Sequence, residues 1–491
     1  MVTGLVTLRE PLRGSLRSRR MTQSIVIQVG QCGNQIGSRF WDLALKEHAS
    51  INKHGLFDEP LSSFFKNVDT RSLHESDIPV KDGKSKIKSL KARAVMIDME
   101  EGVVSELLKG PMRDVFDSRQ LITDVSGSGN NWAVGNVFYG QQYRENIVDT
   151  VRKEAERCDA LQCFFVMHSM GGGTGSGLGT AVLDLLQKEF PDVYRFVVAV
   201  YPSSDDDVIT SPYNSVLAMH ELTDKADCVL PVENQALVDL VNKISKAAQW
   251  KSEKSRVTTF SGPSRQIKTN TAVTSSHGTL TSRQKPFDSM NNIVAHLLLN
   301  LTSSARFEGS LNVDLNEITM NLVPFPRIHY LVSSLTPLYG LADVSLPPRK
   351  LDEIFTDAFT ADHQLIKANP KHNLYLACAL LLRGNVPLSD IRRNIDRIRS
   401  SLNFVSWNQD GWKTGLCSIP PAGQPYGLLC LANNTCIKET FRDLRTQFTT
   451  LFRRKAHLHH YKKIDGMDMG LFQESLESLS SLLCEYEALE S

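Results

Sequence analysis

The sequence predicts an α/β protein: a doubly wound parallel sheet, then a mixed α+β region and C-terminal helices. Three observations predict it. Apolar runs of strand length at residues 25–29, 94–98, 161–167 and 196–200 alternate with stretches of helical periodicity. Several of these runs lead into loops rich in Gly, Asn or acidic residues. The chain has 491 residues, 41% hydrophobic and 22% charged, enough for two or three packed subdomains. Strands alternating with helices imply a parallel sheet, and ligands of such sheets gather outside the carboxyl ends of the strands.

Each element follows from its residues. The first 20 hold five Arg and one Glu, a local +4 within a total of +1, and read as a disordered basic extension ahead of Met21. Ile25-Val26-Ile27-Gln28-Val29 is a strand, and Ile36, Phe40 and Leu43 mark one face of the helix after it. The lysine-rich stretch 81–91 reads as a solvated surface loop. Residues 94–98 form a strand that ends on carboxylates, and residues 161–167 (LQCFFVM) form a buried one. Leu178, Val182 and Leu186 then recur every fourth residue, as on a helix. Residues 243–285, rich in Ser, Thr, Lys and Arg, read as a flexible excursion. From Asn291 an apolar helix (Ile293, Leu297, Leu301) leads into mixed strands and helices. Phe472, Leu476, Leu479, Leu483 and Tyr486 make an amphipathic stripe that should pack on the chain's own body.

The most informative segment is Gly171-Gly172-Gly173-Thr174-Gly175-Ser176-Gly177, between a strand (ending near His168 and Ser169) and a helix. Unpaired N–H groups and the positive end of the helix dipole meet there, and glycines let the backbone approach a ligand closely. Such a loop cradles phosphate. It has no Gly-Lys-Ser/Thr ending, so it is not a Walker A loop. Gly83-Lys84-Ser85 has Ile78 where that loop needs its first Gly. The spacing G-x-G-x-x-G also fails, since Ser176, Leu178 and Thr180 stand where the third Gly should be. A dehydrogenase-like dinucleotide site is therefore excluded.

This glycine segment resembles the signature of the tubulin family, and further segments match in order. Residues 30–37 (GQCGNQIG) and 126–133 (SGSGNNWA) resemble two more nucleotide loops; residues 321–327 (NLVPFPR) and 452–459 (FRRKAHLH) resemble later parts. The likeness covers nearly all of the chain from Met21. Residues 63–71 (SFFKNVDTR) and a long insertion after Asn234 are most similar to the epsilon class. The resemblance divides the chain into the extension 1–20, a nucleotide-binding domain 21–236, a flexible insertion 237–285, a core helix with an intermediate domain 286–437, and a C-terminal helical region 438–491.

The resemblance also implies a site for GTP/GDP with Mg²⁺. Gln31, Cys32, Asn130, Ser169 and residues 171–177 would hold phosphates and sugar. Asn34, Asn234 and Asn291 would lie near the base or ribose, an Asn amide being able to meet guanine's O6 and N1–H together. Phe287 stands where family members often place a stacking Tyr, and stacking survives that change. Asp207 matches a ribose-side acid, while Ser211 replaces a neighbouring Glu. Asp98 and Glu100 end a strand as suits a hydrated Mg²⁺, which takes few protein ligands. Glu101, where relatives commonly carry Pro, is expected to face solvent. Glu317, in the segment 309–317 (GSLNVDLNE), matches the acid that positions the attacking water on the neighbouring subunit's nucleotide.

Nine cysteines without a C-x-x-C pair read as reduced cytosolic thiols rather than a zinc site. No apolar run approaches the length of a membrane span, and a net charge of +1 gives no field toward nucleic acid. The implied function is a GTP-binding structural subunit of the centriole or basal body and microtubule cytoskeleton. It would associate head to tail with other tubulins and with centriolar proteins, in the cytoplasm and at the centrosome. Any GTPase activity would be completed only at a subunit contact. The alternative is a non-polymerising scaffold or cap for centriolar tubulins, favoured by the insertion and by the missing long acidic tail.

Overall fold

The computed structural model describes residues 22–69, 76–80, 84–203, 206–258, 287–338 and 350–490. Six strands form the first sheet: β1 (Gln23–Val29), β2 (Ala94–Asp98), β3 (Leu121–Thr123), β4 (Leu161–Ser169), β5 (Tyr194–Tyr201) and β6 (Cys228–Glu233). Their order is β6-β5-β4-β1-β2-β3, and every pairing is parallel. The chain starts in the middle, winds to one edge, returns, and winds to the other. Its direction reverses between β1 and β4, which opens a crevice at their carboxyl ends.

The helices cover both faces, which is why β1 and β2 are buried throughout and are largely apolar. On one face lie α1 (Gly30–Ile51), with Ile36, Phe40 and Leu43 inward, and α6 (Asp288–Leu301). On the other lie α3 (Gly179–Glu189) and α4 (Ser211–Lys225). Two more helices, α2 (Glu101–Lys109) and α5 (Asn234–Thr258), leave the carboxyl ends of β2 and β6. After α6 and the short α7 (Leu315–Leu322), a second, mixed sheet places β7 (Val332–Thr336), β11 (Gly427–Asn434), β8 (Leu374–Arg383) and β9 (Asn403–Phe404) side by side. The strand β10 (Trp412–Cys417) also pairs with β8. The chain closes with α8 (Ile437–Arg453) and α9 (Leu471–Ala488) against α4. Phe472, Leu479, Leu483 and Tyr486 are buried in that contact and Leu476 is half-buried, so the terminal stripe serves the chain's own core.

One buried ion cluster joins the two sheets. The Glu47 carboxylate near the end of α1 meets Arg306 Nη1 at 2.7 Å and Arg383 Nη1 at 2.8 Å, and all three side chains are at most 3% exposed. Burial alone would raise the Glu47 pKa; the two guanidinium groups overcome it and hold it at about 2.

Two expectations need correction. The sequence predicts a flexible insertion from residue 237, but residues 234–258 are one helix. Leu237 and Leu240 are buried, with Val241 and Ile244 packed beside them. One apolar stripe among Ala, Lys and Gln suffices for a helix, though the composition reads as polar and loose. The remainder of that stretch, 259–286, and the extension 1–20 lie outside the described residues. The lysine-rich stretch 81–91 is also not simply a loop. Residues Lys84–Lys86 pair antiparallel with Leu56–Asp58, while Leu90 and Lys91 pair with the strand Phe65–Asp69. Lys84, Lys86 and Lys88 are exposed and Lys91 is half-buried, so the surface reading holds for the first three and the loop reading fails.

Candidate functional site

A cavity of about 320 Å³ opens where the sheet reverses direction. Gly30, Gln31, Cys32, Gln35 and Ile36 line it from the start of α1, and Asp98 and Glu100 from the end of β2. Ser128, Gly129 and Asn130 form another wall, and Ser169, Gly172, Gly173, Thr174 and Gly175 the floor after β4. Val200, Asn234, Leu237, Phe287, Met290, Asn291 and Val294 complete it. Its size suits a nucleotide-sized ligand.

The floor is tightly built. A Cβ on Gly175 would lie 2.6 Å from Ser169 Oγ and 2.9 Å from Ser169 N, so only glycine lets the loop fold over the end of β4. Thr174 and Ser128 share a hydroxyl hydrogen bond at 2.8 Å, which ties the floor to the next wall. The Ser176 hydroxyl donates back to the Gly172 carbonyl. The turn then widens through Thr174–Leu178 before α3 begins, a π-type turn of the kind often found at functional sites.

Two carboxylates stand beside this floor. Asp98 is 3% exposed; its Oδ1 accepts the Glu100 N–H at 3.3 Å, while its Oδ2 has no partner. Burial pushes its pKa to about 6, against backbone N–H groups that lower it. Glu100 is exposed at the rim, and Glu101 is exposed in the first turn of α2, outside the cavity wall. Among the described residues no group of three or more His, Cys, Asp or Glu side chains is placed to hold a metal ion. The pair fits Mg²⁺, which keeps most of its water, and a buried unpartnered carboxylate oxygen is suited to a hydrated cation.

Of the expected residues, Gln31, Cys32, Asn130, Ser169, Gly172, Gly173, Thr174, Gly175, Asn234, Phe287 and Asn291 line the cavity. Phe287 sits at the mouth, 55% exposed, with φ +73° at the start of α6. Burial drives the Cys32 thiol up to about 12. Five expected residues do not line it. Asn34 is fully buried and donates to the Gly30 and Ile97 carbonyls at 3.0 and 3.2 Å, so it fastens β2 to the first loop. Gly171 turns its carbonyl to Asn214, and Ser176 is consumed inside the loop. A Cβ on Gly177 would lie 2.2 Å from the Trp132 carbonyl, so that glycine packs loop on loop. Asp207 is exposed and away from the cavity wall. The sequence reading missed the apolar wall of Ile36, Val200, Leu237, Met290 and Val294. Leu237 and Val294 each lie three residues beyond a lining Asn, on the same helix face, and that spacing was the available signal.

Glu317 lies at the other end of the sheet. Asp314 caps α7 and accepts Gln162 Nε2 at 2.6 Å; Asn316 accepts the Tyr194 hydroxyl. Gln162 and Tyr194 belong to the amino ends of β4 and β5. The cavity floor begins at Ser169, at the carboxyl end of β4, roughly 23 Å along the strand from Gln162 at ~3.3 Å per residue. Glu317 is 44% exposed and pairs with Lys413 Nζ at 2.5 Å.

This sheet order with these loops defines a nucleotide-binding α/β domain of GTPase type. Residues 23–242 match the Tubulin/FtsZ family, GTPase domain, and residues 326–446 match the Tubulin C-terminal domain. The chain belongs to the tubulin family. It is 62% identical to the tubulin epsilon chain of Mus musculus over 473 residues, covering 96% of this chain and 97% of the relative. The same identity holds with the tubulin epsilon chain of Homo sapiens over 472 residues, covering 96% and 97%. A tubulin beta-4 chain of Zea mays is 31% identical over 470 residues, covering 95% of each.

Proposed function

We propose that the cavity holds one guanine nucleotide with Mg²⁺ and that the chain joins other tubulin-family subunits head to tail, in the cytoplasmic cytoskeleton and at the centriole or basal body. The observation that carries this reading is the position of Glu317 at the opposite end of the sheet from the cavity. No single chain can bring the two together, but stacking two chains along the strand direction does. A contact of that heterologous kind repeats into filaments.

In this reading the N–H groups of residues 172–175 and the hydroxyls of Ser169 and Thr174 take the phosphates. Asn234 and Asn291 face the base, and Phe287 covers it from the mouth. Asp98 and Glu100 hold the water shell of Mg²⁺, which neutralises phosphate charge when bound. Glu317 of one chain orients water at the nucleotide of the next. The 62% likeness to epsilon chains supports the centriolar role only by class.

The Lys413–Glu317 ion pair favours a second reading, a non-polymerising scaffold or cap for centriolar tubulins, because a neutralised carboxylate is a weaker water-orienting group. Nucleotide released from the denatured purified chain tests the first claim: GTP or GDP is expected, and adenine or nicotinamide nucleotides, or none, would overturn it. Sedimentation with αβ-tubulin, with and without GTP, separates subunit from cap.

A further inference from the structure

The segment between α8 and α9 carries charge that the site just described does not use. Arg453, Arg454, Lys455, Lys462 and Lys463 are all exposed, with His459 and His460 among them and no acid between 453 and 463. None of these five cations has a carboxylate partner among the described residues. The rings of His459 and His460 lie 3.9 Å apart, and His457 stacks 6.2 Å from His460.

This cluster is held rigidly rather than left as a loose tail. Lys455 and His457 take φ of +51° and +60°, conformations that persist where surrounding structure enforces them. The Tyr213 hydroxyl donates to the Ala456 carbonyl at 2.9 Å, and Asn131 Nδ2 donates to the His460 carbonyl at 3.1 Å. The buried Tyr461 hydroxyl donates to Asn214 Oδ1 at 2.6 Å. Asn214 is fully buried, and its Nδ2 donates to the carbonyls of Gly171 and Asn130 at 2.8 Å each, while Oδ1 also accepts the Trp132 N–H. One amide thus joins the basic turn to two loops of the cavity.

We propose that the 453–463 turn docks a carboxylate-rich polypeptide segment, and that its occupancy is coupled to the nucleotide loops through Tyr461 and Asn214. Arg guanidinium forks and Lys ammonium groups on a fixed backbone turn match carboxylates. The cluster is short and is followed at once by exposed Asp465 and Asp468, which would repel a long polyphosphate. No exposed Phe, Tyr or Trp stands among the cations for bases to stack on: Tyr461 is buried, Phe452 stacks on Phe472, and the exposed rings of His459 and His460 lie against each other. The coupling half rests on the cavity holding a nucleotide; the docking half does not.

The test uses the full chain and a fluorescein-labelled ten-residue glutamate peptide. Joint reversal of Arg453→Glu, Arg454→Glu, Lys462→Glu and Lys463→Glu should weaken peptide binding about tenfold or more with nucleotide content unchanged. Saturating peptide should change the nucleotide dissociation constant about fivefold or more, the lower range of coupling between sites. Tyr461→Phe removes one hydroxyl and should return that ratio to one while peptide still binds. Unchanged peptide affinity after charge reversal would overturn the docking site. So would tighter binding of a single-stranded oligonucleotide, or of vesicles containing phosphatidylserine, than of the peptide. Equal nucleotide affinity with and without peptide would overturn the coupling alone, and a chain that binds no nucleotide would fail the proposed function while leaving the docking result to stand.

Discussion

The two ends of the first sheet are built on opposite plans. At the carboxyl ends, glycines and inward hydrogen bonds make a tightly built polar floor, and Asn34, Ser176 and Asn214 shape it. At the amino ends, Glu317 stands on an open surface. Met320 is 74% exposed on the same helix, and Phe325, three residues past that helix's end, meets Trp407 edge to face. One end is finished within the chain and the other is not. The proposed function divides the chemistry between these two ends, and each prediction below breaks or sharpens that division.

The largest effect belongs to the element that spans both ends. Helix α1 begins in the cavity wall at Gly30 and carries Glu47 to the far end, between Arg306 and Arg383. Glu47→Gln leaves two buried guanidinium groups without their anion and should destabilise the fold by about 3–5 kcal/mol, measured by urea unfolding. A loss under about 1 kcal/mol would mean that the cluster is solvated in solution. The pH dependence has two parts. Glu47 is depressed to about 2, so its contribution is complete above its ordinary 4.5 and is lost as pH falls toward 2. His48 is depressed to about 3 by burial and the nearby arginines, so the unfolded chain takes up a proton below about 6.5 that the folded chain refuses. Stability should therefore fall from pH 6.5 downward in wild type and variant alike, with the variant lacking only the steeper loss below pH 4.5.

Glu317→Ala tests the open end. The chain's own nucleotide affinity should not change, because the helix of Glu317 is anchored on Gln162, roughly 23 Å along β4 from the cavity floor. Hydrolysis by a mixed assembly should slow by ~10²-fold if water positioning is the main loss. Brisk hydrolysis by a demonstrably monomeric chain would erase the distinction between the two ends.

Gly175→Val tests the carboxyl end. Its side chain would enter the space of Ser169, so nucleotide affinity should drop by about 2 kcal/mol or more, read by equilibrium binding. An unaffected affinity would show that the floor of the cradle yields, and that the proposed phosphate contacts lie elsewhere.

Much of the carboxyl end was legible in the sequence because its contacts are local. A strand of unbroken apolar residues, a glycine loop and a helix stripe follow one another within thirty residues. What stayed hidden depended on partners far along the chain. Asn34 reads as a ligand residue until Ile97 takes its amide, 63 positions later. Glu47 is an ordinary helix acid until Arg306 and Arg383 arrive, 259 and 336 positions on. The helical start of the insertion is hidden for a different reason: its polar composition masks a single stripe at Leu237, Leu240, Val241 and Ile244.

Lys413 gives the smallest effect and the finest cut. Its ammonium sits 2.5 Å from the Glu317 carboxylate, and the two side chains are 29% and 44% exposed. Exposed pairs of this kind contribute ~0–1 kcal/mol, so Lys413→Met should leave unfolding midpoints nearly unchanged. Its value lies in what it does to assemblies. If the open end is a waiting half-site, removing the lysine frees the carboxylate, and hydrolysis in a mixed assembly should be retained or modestly faster. If the ion pair instead holds Glu317 in its working position, hydrolysis should fall toward the Glu317→Ala level and recover with Lys413→Arg, which restores the charge. No change in either variant, with Glu317→Ala also silent, would make this end a plain docking surface and leave the cap as the better reading.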